Sequence, residues 1–241
     1  LMRNQNIIDL YIPYVRNINI LTGIVANQTQ IDSTDLSNLF NDIKLQERLG
    51  FSSFTFPTFF LPNTYEVYSN INKEDLIEML SNNYKNYWNS NRIQKAKKIG
   101  LSQSEVTILA SIVQMEQQVK MKEHAKIAGL YINRLKKGMK LQADPTVKFA
   151  LNEPNLKRVL NRHLKYDSPY NTYLYKGLPP GPICIPEVTA IDAVLNYQKH
   201  DYIYMCAEPT YSGKHNFAVT YKGHMENYQI YKNWLNKEGI R

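Results

Sequence analysis

Among the acids of this sequence, Glu116 has the surroundings best suited to proton chemistry. It closes the run "ILASIVQME" (residues 108–116) and is the only acid between Glu105 and Glu123. Leu109, Ile112 and Val113 precede it by seven, four and three residues, spacings that place all four side chains on one face of a helix. A carboxyl at the end of an apolar stripe loses water on its core-facing side, so the protonated form is favoured and the pKa rises above the free value. A glutamic acid still protonated near neutral pH can give its proton to a leaving oxygen. The competing reading is structural: Lys120, four residues on, or Arg134 pairs with the carboxylate and keeps it charged. Spacing alone leaves both readings open.

Polar partners come in two later stretches. "MKLQADPTV" (139–147) reads as an Asp-Pro turn that offers Gln142 and Asp144 beside an expected strand. Asp144 and Asp167 are alternative acids, and Asp144, just before a proline, reads first as a loop-shaping acceptor. "YDSPYNTYLYKGLPPGPICIP" (166–186) holds five prolines, two glycines, four tyrosines and Asn171. So stiff a stretch has little freedom to lose on binding. It suits a groove for an extended sugar chain, and equally a structural wrap. The five histidines show no metal-ligand spacing. No phosphate loop, nucleophile elbow or Ser/His/Asp arrangement is present. Neither a metal nor a cofactor is expected.

The elements that must position these residues follow from pattern. "SQSE" (102–105) is a capping box, so the helix that carries Glu116 starts near Gln103. A second helix is expected over about Glu123–Lys137, with Ala125, Ala128 and Gly129 packing closely against the first and Gly138 as its left-handed stop. Upstream, residues 6–12 alternate like a strand, and 17–28 and 34–41 read as short helices. The aromatic, proline-punctuated "FSSFTFPTFFLPNTYEVY" (51–68) suggests a short strand or edge loop. From Lys73 to about Lys98 the pattern is helical, with Leu76, Met79, Leu80, Tyr84, Tyr87 and Trp88 on one side. The whole reads as an α+β protein. A small N-terminal α/β segment (1–70) precedes a larger, mixed helical catalytic domain (71–241), with a small sheet and extended Pro-rich cleft loops.

Composition narrows the partners. Lys and Arg outnumber Asp and Glu by 29 to 21, a formal net charge of +8, which suits anionic surroundings such as nucleic acid, a membrane surface or cell-wall polymer. The basic residues are scattered. Their densest run, Arg92–Lys98, reads as the wet side of a helix, and no nucleic-acid motif surrounds it, so nucleic acid is not expected as a partner. The 18 tyrosines suit a sugar-binding surface or simply a wet fold. A disulfide between Cys184 and Cys206 requires the fold to bring the two together. No run is long enough to span a membrane, no signal peptide is visible, and the strand-like start suggests that an upstream part has been removed.

Four blocks occur in order: "LASIVQME", "INRLKKGMKLQADPTV", "DSPYNTYLYKGLPPGPI" and "HNFAVTYKGH". Together, over roughly residues 55–241, they resemble the endolytic murein transglycosylases of the YceG-like (MltG) family. The resemblance implies a bacterial lytic transglycosylase. Such an enzyme cuts the MurNAc-GlcNAc β-1,4 bond of nascent peptidoglycan strands and leaves 1,6-anhydroMurNAc ends. It implies Glu116 as the catalytic acid, with Gln142, Asp144, Tyr170, Asn171, Tyr173 and His215 toward the substrate. It also implies a LysM-like N-terminal region, peptidoglycan synthases as partners, and a single membrane helix absent from this chain that holds the catalytic domain facing the periplasm. Relatives often carry Glu-x-Glu where this chain has Gln114-Met115-Glu116, a Thr at Gln117, and His-Asn at His224-Met225. Gln114 cannot donate a proton to a leaving oxygen, which leaves Glu116 as the acid. A peptidoglycan-binding scaffold without activity, and a lysozyme-like hydrolase, are the alternatives.

Overall fold

A computed structural model describes residues 6–239. In chain order the elements are β1 (Ile7–Ile12), α1 (Ile18–Gln28), α2 (Ser33–Phe40), α3 (Ile43–Arg48), β2 (Asn63–Tyr68), α4 (Lys73–Tyr87), α5 (Ser90–Ile99) and α6 (Gln103–Glu116). There follow α7 (His124–Lys136), α8 (Asp144–Ala150), α9 (Val188–Leu195), β3 (Tyr204–Ala207), β4 (His215–Ala218) and α10 (Tyr221–Lys237). Helices predominate, with two small antiparallel sheets, an α+β architecture. The described residues group into two compact units, one up to residue 111 together with 178–195, the other of 112–177 and from 196 onward. The chain passes from the first to the second inside α6; the boundary expected near residue 70 falls between β2 and α4. Among the described residues no helix is long and apolar enough to cross a membrane.

In the first unit, β1 pairs with β2 from Ile7 opposite Tyr68 to Ile12 opposite Asn63. The alternation read from sequence has its cause here: Leu10 and Ile12 are buried while Tyr11 faces out. They join Leu21, Leu36, Phe40, Phe56, Phe59, Phe60, Leu76 and Leu80 in one core. Most of the phenylalanine pairs in it meet edge to face, as their ring quadrupoles favour. Residues 73–98, expected as one helical stretch, form two helices. The Asn89 side chain accepts from the Arg92 N–H and so starts α5 afresh after Trp88. Within the basic run, Arg92 is held by Asp192 of α9 through Nε to Oδ1 (3.0 Å) and Nη2 to Oδ2 (3.2 Å).

The second unit holds the end of α6, with α7, α8, the β3–β4 pair and α10. Gly138 stops α7 as expected, at φ +62°, while the Met139 N–H returns to the Arg134 carbonyl. The close packing expected of Gly129 against α6 is made with another partner. A Cβ at this position would lie 2.3 Å from the Gln198 carbonyl oxygen and 2.8 Å from His200 Nε2, so only glycine lets the 198–200 segment lie against α7. Asn133, one turn on, fixes that segment by donating to the carbonyls of His200 (2.6 Å) and Tyr202 (3.0 Å). The strand expected beside "QADPTV" is instead α8. Pro145 stands in its first turn, where a fixed φ and a missing N–H favour a helix start.

Candidate active site

The capping box read from sequence opens α6. The Ser102 N–H donates to Glu105 Oε2 at 2.7 Å, and the Glu105 N–H donates to Ser102 Oγ at 3.2 Å. From that fixed start the helix turns Leu109, Ile112 and Val113 wholly inward. Glu116 follows on the same face and lines a cavity of about 260 Å³ in the second unit. Tyr131, Arg134, Gln142, Asp144, Tyr173 and His215 share its wall, with Leu130, Leu141 and the β3 residues Met205, Cys206 and Ala207.

The electrostatics of Glu116 follow from its neighbours. Burial raises its carboxyl to about 7, aided by the negative Asp144 and opposed by the Tyr131 hydrogen bond and by the positive Lys148 and Arg134. Lys120, the pairing partner considered from spacing, is exposed, and the cations that act on Glu116 come from α7 and α8. The buried Tyr131 hydroxyl donates to Glu116 Oε1 at 2.6 Å. Burial and the adjacent carboxyl hold the Tyr131 phenol well above its ordinary value, so it stays a donor. With Oε1 occupied, Oε2 is the oxygen left to carry a proton into the cavity.

Arg134 shapes the rest of the wall. Its Nε donates to the Ile203 carbonyl (2.6 Å), and its Nη1 donates to the carbonyls of Lys140 and Leu141 and to Gln142 Oε1. The guanidinium thereby ties α7 to the 140–142 loop and to the approach of β3. Gln142 takes the left-handed conformation, φ +53°, rare for a residue with a side chain. Its N–H donates to the Thr172 carbonyl at 3.1 Å. Asp144 stands at the start of α8 and accepts from the Tyr173 hydroxyl at 2.6 Å. Thr172 locks this corner from below: its Oγ1 accepts from the Ala143 N–H and meets Thr146 Oγ1 at 2.8 Å.

Of the residues singled out from sequence, Glu116, Gln142, Asp144, Tyr173 and His215 meet at this cavity, whereas Tyr170 and Asn171 lie outside its wall. Tyr170 packs its ring on Phe149 at 4.7 Å. Asn171 is fully buried. Its amide nitrogen donates to the carbonyls of Leu164 (3.0 Å) and Tyr166 (2.8 Å), and its oxygen accepts from the Tyr173 N–H. It therefore braces the loop that presents Tyr173. The Pro-rich stretch divides in the same way. Beyond Gly177 it belongs to the first unit, where Ile183, Cys184 and Ile185 are buried, Ile185 bridges to Val15, and the Ile183 N–H donates to Ser111 Oγ. That half is a structural wrap. Both cysteines are free.

Sequence reasoning missed the roles of Tyr131 and Glu123. A tyrosine fifteen residues after Glu116 carries no local signal, and Glu123 meets its partner His215 only across 92 residues of chain. Among the described residues, no three His, Cys, Asp or Glu side chains gather as a metal-ligand set.

Comparison with known proteins adds an independent line. The profile of the YceG-like family matches residues 1–230, so the likeness extends over the N-terminal stretch that the motifs alone did not reach. An endolytic murein transglycosylase of Bacillus subtilis (strain 168) is 38% identical over 151 residues, 63% of this chain and 41% of that protein. One of Streptococcus pneumoniae serotype 2 is 32% identical over 174 residues, 70% of this chain and 31% of that protein. The chain thus spans less than half the length of these curated relatives. The crystal structure of a YceG-like protein from Listeria monocytogenes superposes with a TM-score of 0.73 at 27% identity, covering 90% of this chain and 75% of that one. With the profile match running over nearly its whole length, the chain belongs to the YceG-like family.

Proposed function

We propose that the protein is an endolytic lytic transglycosylase that cuts peptidoglycan glycan strands, with Glu116 as its catalytic acid. The observation that carries the reading is a carboxyl raised to about 7 at a cavity wall, with one oxygen occupied by Tyr131 and the other without a hydrogen-bond partner among the described residues. Relatives named for this activity support it. Glycoside hydrolysis ordinarily uses two carboxylates. A lytic cut needs one, because the nucleophile belongs to the substrate. Glu116 gives its proton to the oxygen that leaves the muramyl C1. The C1–O bond breaks, and the C6 hydroxyl of the same sugar closes on C1. Its proton returns to the Glu116 carboxylate, which restores the starting state.

Gln142, Asp144, Tyr173 and His215 then face the glycan in this reading. Asn171 and Tyr170 serve by shaping the loop that presents Tyr173. The expected setting is that of the family: the periplasmic side of a bacterial inner membrane, with wall synthases nearby. The family resemblance is its sole support.

The test is mass analysis of products from polymeric, uncrosslinked glycan strands. Internal fragments ending in the anhydro sugar, lighter by one water than hydrolysis products, are the expected outcome. Reducing ends instead would make the enzyme a hydrolase, and tight binding without cleavage would make it a scaffold.

A further inference from the structure

One other side chain at the cavity is held by an acid. His215, at the start of β4, meets Glu123 Oε2 through Nδ1 at 3.1 Å, and its backbone N–H donates to Glu123 Oε1 at 3.2 Å. Gln117 completes the arrangement: its Nε2 donates to Glu123 Oε2 at 2.8 Å and to the Gly213 carbonyl at 2.7 Å. Gln117 is itself pinned, because its Oε1 accepts from the N–H groups of Val119 and Lys120. The side chains of His215 and Glu123 are only 16% and 15% exposed.

These contacts settle which ring nitrogen bears hydrogen. Glu123 faces three groups, two of which can only donate, and an ionised carboxylate can only accept. Nδ1 therefore carries the proton that points to Glu123. In the neutral ring that leaves Nε2 as a bare acceptor. Among the described residues Nε2 has no hydrogen-bond partner, and the ring lines the cavity beside Glu116. A lone fixed acceptor is complementary to an O–H group, which a sugar supplies in number.

We propose that Glu123 is a positioning residue, which holds His215 so that Nε2 accepts a hydrogen bond from a hydroxyl of the bound glycan. The inference rests on the reading of this cavity as a glycan site. Glu123→Gln tests it, because the amide has one acceptor oxygen for three donors and turns an N–H toward the rest. That weakens the hold on Nδ1–H and releases the other imidazole tautomer. A neutral hydrogen bond to substrate, made in the ground state and the transition state alike, shows in KM rather than kcat. The expected result is a KM raised roughly 5–10-fold with kcat little changed.

Nitrogen-15 spectra of histidine-labelled protein should show the Nδ1–H tautomer at His215 in the parent and its loss in the variant. An unchanged tautomer together with an unchanged KM overturns the proposal. Should Glu123→Gln fail to fold, His215→Phe keeps the ring's bulk without its nitrogens and should give the same rise in KM; a parental KM again overturns the proposal. If the parent itself releases no anhydro product, the reading of function fails separately. Glycan strands added to the labelled parent then decide the contact: movement of the Nε2 resonance upholds it, and an unmoved resonance overturns it.

Discussion

Helix α6 carries a glutamate near each end, and the two have opposite surroundings. Glu105 lies in the first turn, exposed, with its carboxylate accepting from the Ser102 N–H. An acid there complements the partial positive charge of a helix N-terminus. Glu116 closes the last turn, where that partial charge is negative and three fully buried aliphatic residues lead up to it. Nothing in that position favours the charged form except Tyr131 and two cations on other helices. The contrast teaches that residue type settles little about an acid. One glutamate is a helix cap; the other is a carboxyl that burial raises to about 7 at a cavity wall.

The contrast can be broken most severely at Glu116 itself. Glu116→Gln keeps the shape and removes the proton, so cleavage should fall by roughly 10²–10⁴-fold, the usual yield of a positioned general acid. A variant that folds normally and still releases anhydro products at the parental rate would remove Glu116 from the mechanism.

Stability should move the other way. Below pH ~4.5 the folded and unfolded chains both hold the Glu116 proton, and between there and about 7 only the folded chain does. The folded state thus binds the extra proton, and stability falls as pH rises through this window, by about 3 kcal/mol in all. Glu116→Gln is free of that penalty, so it should melt above the parent at pH 8 and lose the advantage near pH 4. The rate of the parent should fall through pH ~7 for the same reason, as the donor loses its proton. Melting curves with the same pH dependence in both proteins would show that Glu116 titrates as a free acid.

Tyr131→Phe sharpens the comparison more gently. The Tyr131 hydrogen bond lowers the Glu116 value against burial. Its loss should carry the alkaline fall in rate to higher pH by roughly 0.5–1 on the pH scale, the equivalent of one hydrogen bond. A fall displaced to lower pH would mean that Tyr131 stabilises the acid form instead. The smallest effect belongs to the other end: Ser102→Ala should lower stability by about 1 kcal/mol and leave the products unchanged. A changed product pattern would show that the cap does more than start the helix.

The same contrast shows what a sequence displays and what it hides. The capping box, the apolar stripe and the Gly138 stop involve residues within a few positions of one another, so their chemistry is visible in the letters. The start of α8 is hidden because Asp-Pro serves a turn and a helix start equally well, and the hydroxyl contact of Thr146 with Thr172, 26 residues on, has no local signal. Asn171 looked like a sugar-facing amide because a buried asparagine and an exposed one are written alike. What distinguishes them is two carbonyls, at Leu164 and Tyr166, that the loop folds back to present. Glu123 was visible only as an acid after a polar turn, since its partner is distant in the chain and close only once β4 is in place.

Arg134 makes the cavity wall a single mechanical piece. One guanidinium holds carbonyls at 140, 141 and 203 together with the Gln142 side chain, so no one of these segments can lift away without stranding a buried cation. Local opening of this wall is therefore all or none. Amide protons of the 140–142 loop and of the approach to β3 should exchange with solvent at a common rate, and any ligand of this cavity meets a wall that is either closed or wholly open.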